Sequence, residues 1–137
     1  MPVIQYLRTK LIMKALGIAL FCSMPFLAAD GPVTGRAVFY SDKMHGHQVA
    51  MKGEKYDKAA MTAATHSQFP LGSTVKVTNL GNKKSVVVKV NDRMNKRSKS
   101  LIDLSRKAAE ELDFIRAGHA KVTVELVETH TPASAKK

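Results

Sequence analysis

Cysteine is nearly absent from these 137 residues: the single one, Cys22, sits inside an apolar N-terminal run. If that run is a leader removed after Ala29, the only thiol leaves with it, which excludes disulfides, cysteine nucleophiles and Cys-based zinc sites from the remainder. Tryptophan is missing altogether, and aromatic residues make up 6% of the chain. Acids are scarce too, 11 against 22 lysines and arginines, so a carboxylate set among apolar neighbours calls for a reason. The apolar run "ALGIALFCSMPFLA" (15–28) is shorter than the ~20 residues a membrane-spanning helix needs.

Arg8, Lys10 and Lys14 precede that run and "LAA" (27–29) closes it, the three-part pattern of a secretory signal. Residues 1–29 are therefore read as a signal peptide, with either Met1 or Met13 as initiator, and the protein as exported, periplasmic or secreted. Phe21 stands where a lipobox wants a small residue, so lipoprotein anchoring through Cys22 is not expected. Without residues 1–29 the chain loses three basic residues and no acid, leaving 19 against 11, a net +8. Such a charge attracts polyanions. Outside the cytoplasmic membrane the abundant polyanion is the cell wall, whose peptides carry free carboxylates; a nucleic-acid partner is not expected there.

The remainder has room for one domain. "VTGRAVFYS" (33–41) reads as a strand, and residues 42–61 as a long surface loop without a sustained period, the kind that is usually functional. "STVKVTNLGNKKSVVVKVND" (73–92) reads as a β-hairpin turning at Gly81-Asn82, with Val86, Val88 and Val90 on one face and Val87 and Lys89 on the other. "MNKRSKS" (94–100) is a polar connection. "LIDLSRKAAEELDF" (101–114) starts as a short strand and becomes a helix, with Asp103 or Ser105 as its cap and Gly118 ending the helical region. "HAKVTVELVE" (119–128) is a last strand, and the tail 129–137 has nothing apolar to hold it down. Short strands, one modest helix and long polar connections predict a small, mainly β barrel.

Several of these segments together resemble a known family. "GRAVFYS", "MHG", "GEKYDKAAMTAATHSQFPLGSTVKVTNL", "SVVVKVNDR" and "LIDLSRKAAEEL", in that order across residues 34–128, resemble the rare lipoprotein A family of septal ring lytic transglycosylases. The resemblance implies a six-stranded double-psi β-barrel over residues 30–128 with one or two short helices, a fold shared with expansin and endoglucanase relatives. It further implies a groove that receives glycan strands of peptidoglycan, with cell-division or wall-associated proteins as further partners. The family's acid in G-E-x-Y-D falls on Glu54, its histidine in T-A-A-x-H on His66 and its aspartate in N-D-R on Asp92. Related barrels place an aspartate at Asp103. The sequence departs from the family where Met94 and Asn95 replace a usual Gly-Pro, and where the aromatic residues near the first strand reduce to Phe39 and Tyr40.

Glycosidic cleavage needs a proton on the leaving oxygen and stabilisation of an oxocarbenium-like centre, tasks that suit carboxyl groups. In a lytic transglycosylase the muramic acid C6 hydroxyl attacks the anomeric carbon and closes a 1,6-anhydro ring, so one carboxyl serves first as acid and then as base. Asp92, at the end of a valine-rich strand, is the first candidate, since partial desolvation there would raise a carboxyl towards the range of a general acid. The alternative for Asp92 is a structural pairing with loop backbone or Arg93. Glu54 would orient substrate or polarise the C6 hydroxyl, and His66 would hold the catalytic carboxylate by a hydrogen bond. Tyr40, Arg93 and Asp103 complete the groove as substrate contacts, although helix capping also accounts for Asp103. "HGH" (45–47) lacks a carboxylate pair at ligand spacing, so neither a metal nor another cofactor is expected. The cluster Lys83, Lys84, Lys89, Arg93, Lys96, Arg97 and Lys99 reads as a solvated face that can steer the protein to an anionic wall. The sequence gives no sign of oligomerisation, and a monomer is expected. A non-catalytic peptidoglycan-binding module, or a protein-binding scaffold on the same barrel, remains open beside the enzyme.

Overall fold

A computed structural model describes residues 31–129. The expected signal peptide, its cleavage site and nearly all of the tail lie outside the described residues. Six strands, β1 (Val33–Phe39), β2 (Thr62–Thr65), β3 (Thr74–Asn79), β4 (Ser85–Arg93), β5 (Ile102–Leu104) and β6 (Ala120–Glu128), form a closed barrel in the order β1-β5-β2-β4-β3-β6. A 3-10 turn (Asp42–Met44) and one helix, α1 (Arg106–Glu111), complete the regular structure. β1 pairs with β5 and β2 with β4 in parallel, whereas the remaining pairings are antiparallel. This is the expected mainly-β, six-stranded barrel.

Alternation along the strands builds the core. Val86, Val88 and Val90 of β4 point inward with Val75 and Val77 of β3 and Val122 and Val124 of β6, while Val87 is 51% exposed, as the two faces of the predicted hairpin require. Burying a valine side chain stabilises by roughly 1.5–3 kcal/mol, so this valine lining is the main source of cohesion. The hairpin's turn differs in detail from expectation. The chain turns through Gly81-Asn82 as expected, but the left-handed residue is Lys83 (φ 65), and Asn79 Oδ1 accepts from Gly81 N at 2.9 Å. The Asn79 and Asn82 side-chain amides both donate to the Leu112 carbonyl at 2.9 Å, which ties the hairpin to the end of α1.

α1 is shorter than the sequence suggests. Ser105 Oγ caps it by accepting from Ala108 N at 3.2 Å, so the cap is Ser105 and not Asp103. Ala108, Ala109 and Leu112 are fully buried against the barrel. The helix then ends well before Gly118: Asp113 takes a left-handed φ of 58, Asp113 N donates to the Glu110 carbonyl and Phe114 N to that of Ala109. That pair of bonds satisfies the Ala109 and Glu110 carbonyls in the last turn of the helix.

The long segment between β1 and β2 is more ordered than its composition suggests. Tyr56, 2% exposed, anchors it; Tyr56 N donates to the His47 carbonyl at 2.8 Å, and Gln48 bridges to Lys55. β2 had no periodic signal, since "TAAT" is four residues long and three of them are buried between two neighbouring strands.

Candidate active site at the barrel mouth

The site is built around β2. Ala64 pairs in register with Asp92 of β4 on one side and with Asp103 of β5 on the other, so the two aspartates share one face of the sheet across a single small side chain. A bulge puts Asp92 there: β2 pairs Ala63 with Val90 and then Ala64 with Asp92, so Asn91 is the extra residue. Bulges commonly re-aim a side chain in this way. Asn91 is buried, accepts Met51 N at 2.9 Å on its carbonyl and donates its side-chain amide to Glu54 Oε2 at 3.1 Å, which holds the long loop against the bulge.

The two carboxyls have opposite surroundings. Asp92 receives three donors: the Tyr40 hydroxyl on Oδ2 at 2.5 Å, and Ala50 N and Arg93 N on Oδ1, each at 2.8 Å. Asp103 Oδ1 is buried and has no hydrogen-bond partner among the described residues. Burial first, and the negative charge of Asp92 second, push the Asp103 carboxyl up to about 6. A carboxyl so placed keeps its proton to a higher pH, about 6, than an ordinary aspartate, beside one that is supplied with donors as an acceptor. Two neighbouring carboxyls in unlike environments are the usual way to obtain an acid and a stabilising charge from the same residue type.

The model of the lytic transglycolase family matches residues 33–124, most of the chain and nearly all of the barrel. The chain belongs to the lytic transglycolase family. Among this family's curated members it is 44% identical over 99 residues to the endolytic peptidoglycan transglycosylase RlpA of Vibrio cholerae, a match covering 72% of this chain and 37% of that protein. It is 50% identical over 93 residues to the protein of that name from Pseudomonas aeruginosa, covering 68% of this chain and 27% of the relative. The chain thus spans well under half the length of these relatives. Among solved structures, the Streptomyces papain inhibitor aligns with a TM-score of 0.57 at 24% identity, over 72% of this chain and 96% of that one. The apo expansin of Clavibacter michiganensis aligns with a TM-score of 0.57 at 24% identity, over 73% and 52%. These two likenesses concern the fold.

In this lytic transglycolase barrel the residues expected at the site do not all meet as expected. Asp92 and Asp103 do come together, and the group that burial raises is Asp103. Glu54 stands nearby, but its carboxylate is ion-paired with Lys89 Nζ and bonded by Asn91, which holds it below the usual carboxylate range. Among the described residues no hydrogen bond reaches the His66 ring; its carbonyl accepts from Arg93 and from Thr65 Oγ1, so the bond expected from His66 to Asp92 is made by Tyr40 instead. Arg93 does not ion-pair with Asp92. Its Nη1 donates to Thr65 Oγ1 (3.2 Å) and to the carbonyls of His66 (3.1 Å) and Phe69 (2.7 Å), fastening the turn after β2. The Tyr40 ring stacks on Tyr56 at 4.4 Å between centroids. Where the family usually has Gly-Pro, Asn95 Oδ1 accepts from Arg97 N at 2.9 Å and shapes the following loop. The sequence did not signal the parts played by Ala64, Ala50, Asn91 and Lys89: two are alanines, one of which acts through its backbone N–H, the bulge that uses Asn91 has no motif, and Lys89 reads only as one of a cluster of solvated cations.

Proposed function

We propose that the protein is an exported peptidoglycan lytic transglycosylase that cleaves the MurNAc-GlcNAc bond and leaves 1,6-anhydro-muramic ends, with Asp103 as general acid and base and Asp92 as its ionised neighbour. The observation that carries this reading is the pairing of Asp92 and Asp103 across Ala64, one carboxyl with three donors and the other buried with an unbonded oxygen. Membership of the family, with relatives named as endolytic peptidoglycan transglycosylases, supports the substrate class.

In the proposed reaction Asp103 gives its proton to the glycosidic oxygen as the bond to the muramic C1 breaks. The Asp92 carboxylate offsets the positive charge that develops at C1. The muramic C6 hydroxyl then attacks C1 and passes its proton to the Asp103 carboxylate, so the acid is restored and no water is consumed. General acid catalysis of this kind contributes ~10²- to 10⁴-fold. Glu54, paired with Lys89 and Asn91, serves by holding the loop that brings Ala50 N to Asp92. Among the described residues no helix is long and apolar enough to cross a membrane, and export rests on the leader pattern in residues 1–29.

The test is incubation of the protein with intact and with peptide-stripped peptidoglycan, analysing soluble products by mass spectrometry beside Asp103→Asn and Asp92→Asn. Anhydro-ended products from the parent and from neither variant are expected. The second reading, a wall-binding module without turnover, is favoured by the loop around Asn95 that replaces the family's Gly-Pro. Pelleting of the protein with the wall and no soluble glycan would establish it.

A further inference from the structure

Tyr40 was expected to line the groove as a substrate contact, and its environment argues for something else. It follows β1 directly, two residues beyond Val38, which pairs in register with Asp103, and Tyr40 N donates to the Leu104 carbonyl at 3.0 Å. The strand pairing therefore fixes its backbone. The ring lies against Tyr56 with planes 27° apart, and Tyr56 is itself buried, with its hydroxyl accepting from Arg106 N at 3.1 Å. A ring stacked on a buried neighbour has one face already occupied. The hydroxyl is committed as well, donating to Asp92 Oδ2 at 2.5 Å, within the short range of a hydrogen bond onto a charged acceptor.

We infer that Tyr40 is a positioning residue for Asp92: it fixes one carboxylate oxygen through its hydroxyl and so leaves Asp103, which has no such donor, as the group that carries the transferable proton. This rests on the reaction proposed above. It adds that the asymmetry between the two aspartates is imposed by β1 and the Tyr56 stack, from the side of the site opposite the Ala50 and Arg93 amides. Those amides hold Oδ1, so the Tyr40 hydroxyl is the one protein donor on Oδ2 among the described residues. Without it the carboxylate is held only through Oδ1, Oδ2 has no protein donor among the described residues, and the proton can settle on either aspartate.

Tyr40→Phe tests this, since it keeps the stacked ring and removes only the donor. The expected result is a roughly 10- to 100-fold fall in kcat on peptide-stripped glycan with KM within about twofold, the range typical of removing a partner that orients a reacting group. Full kcat with a raised KM would overturn the inference and return Tyr40 to the substrate platform. A second measurement does not depend on turnover. The chain has three tyrosines, so the ¹³Cζ resonance of each is resolvable in labelled protein. Asp92→Asn is expected to move the Tyr40 resonance and leave that of Tyr56 in place; an unmoved Tyr40 resonance would overturn the contact itself. The two failures are distinguishable: a parent that releases no glycan yet shows the Tyr40 shift refutes the reaction, and an active parent without the shift refutes the role of Tyr40.

Discussion

Asp92 and Asp103 face each other across Ala64, each in direct register with it from a different neighbouring strand. Their proximity follows from the crossing of β2 between β4 and β5, and their difference follows from which of them the surrounding loops supply with donors. Replacing Asp103 by Asn keeps the shape and removes the proton. Turnover is expected to fall by ~10² or more, measured as anhydro-ended products released per hour, while binding to sedimented peptidoglycan stays at the parent's level.

The same replacement should change stability with a definite sign. The Asp103 carboxyl lies at about 6 in the folded protein, above the ~3.9 of an unfolded chain. The folded state therefore binds the proton more tightly, and stability falls as pH rises from about 4 through 6. Asp103→Asn escapes this. It is expected to be more stable than the parent at pH 7.5, by on the order of 2 kcal/mol, with the difference shrinking below pH 4. Urea unfolding at the two pH values measures it, and an equal difference at both would contradict the assignment.

Glu54 has the opposite linkage. Its bonds from Lys89 and Asn91 depress it, so they stabilise the fold above the unfolded carboxyl range and that contribution is lost as pH falls through the folded value. The pair is partly exposed, so its contribution is set at about 0.5 kcal/mol. Lys89→Met is expected to lower Tm modestly at pH 7 and to have a smaller effect at pH 3, as thermal unfolding at the two pH values will show.

Gly35 lies where a Cβ would come within 2.7 Å of Leu101 Cβ. Gly35→Ala is expected to cost roughly 1–3 kcal/mol by overpacking. Because Asp103 is two residues beyond Leu101, the displaced chain should reduce kcat as well. Adding Leu101→Gly removes the clashing Cβ, and recovery of kcat without full recovery of stability would show that the effect on activity passes through β5.

Ser105→Ala should cost about 1 kcal/mol, the usual loss for an N-cap, read from the denaturant midpoint.

The valine hairpin was legible because its strands are adjacent in sequence and alternate cleanly: Val86, Val88 and Val90 declared their shared face. β2 was not, because four small residues, three of them buried by strands distant in sequence, carry neither alternation nor β-branched bulk beyond two threonines. Asp103 was drawn towards a capping role by its closeness to the helix. Ser105, two residues on, takes that role, since Asp103 still belongs to β5 and its side chain lies on the Asp92 face. Asp92 was singled out from its place at the end of a strand. Its donors were hidden, because two are backbone amides and the third, Tyr40, is 52 residues away in sequence. The family resemblance supplied Glu54 and His66 as names of positions. Their observed partners, Lys89 and Asn91 for one and a carbonyl bonded by Arg93 for the other, belong to the three-dimensional arrangement.

Closure of the barrel has a consequence for how anything docks on it. Every strand from β1 to β6 has a neighbour on both sides, so among the described residues no strand is left open along its whole length; only short stretches, such as residues 85–88 on the β2 side of β4, lack a strand partner. A protein partner that adds a strand, one recurring way in which peptides attach to β domains, has only those short stretches to use. A partner that reads side chains finds distinctive chemistry at the turn fastened by Arg93 and at the charged loop from Lys96 to Lys99. The same closure protects a basic, valine-rich protein from edge-to-edge aggregation wherever it accumulates at high density on an anionic surface.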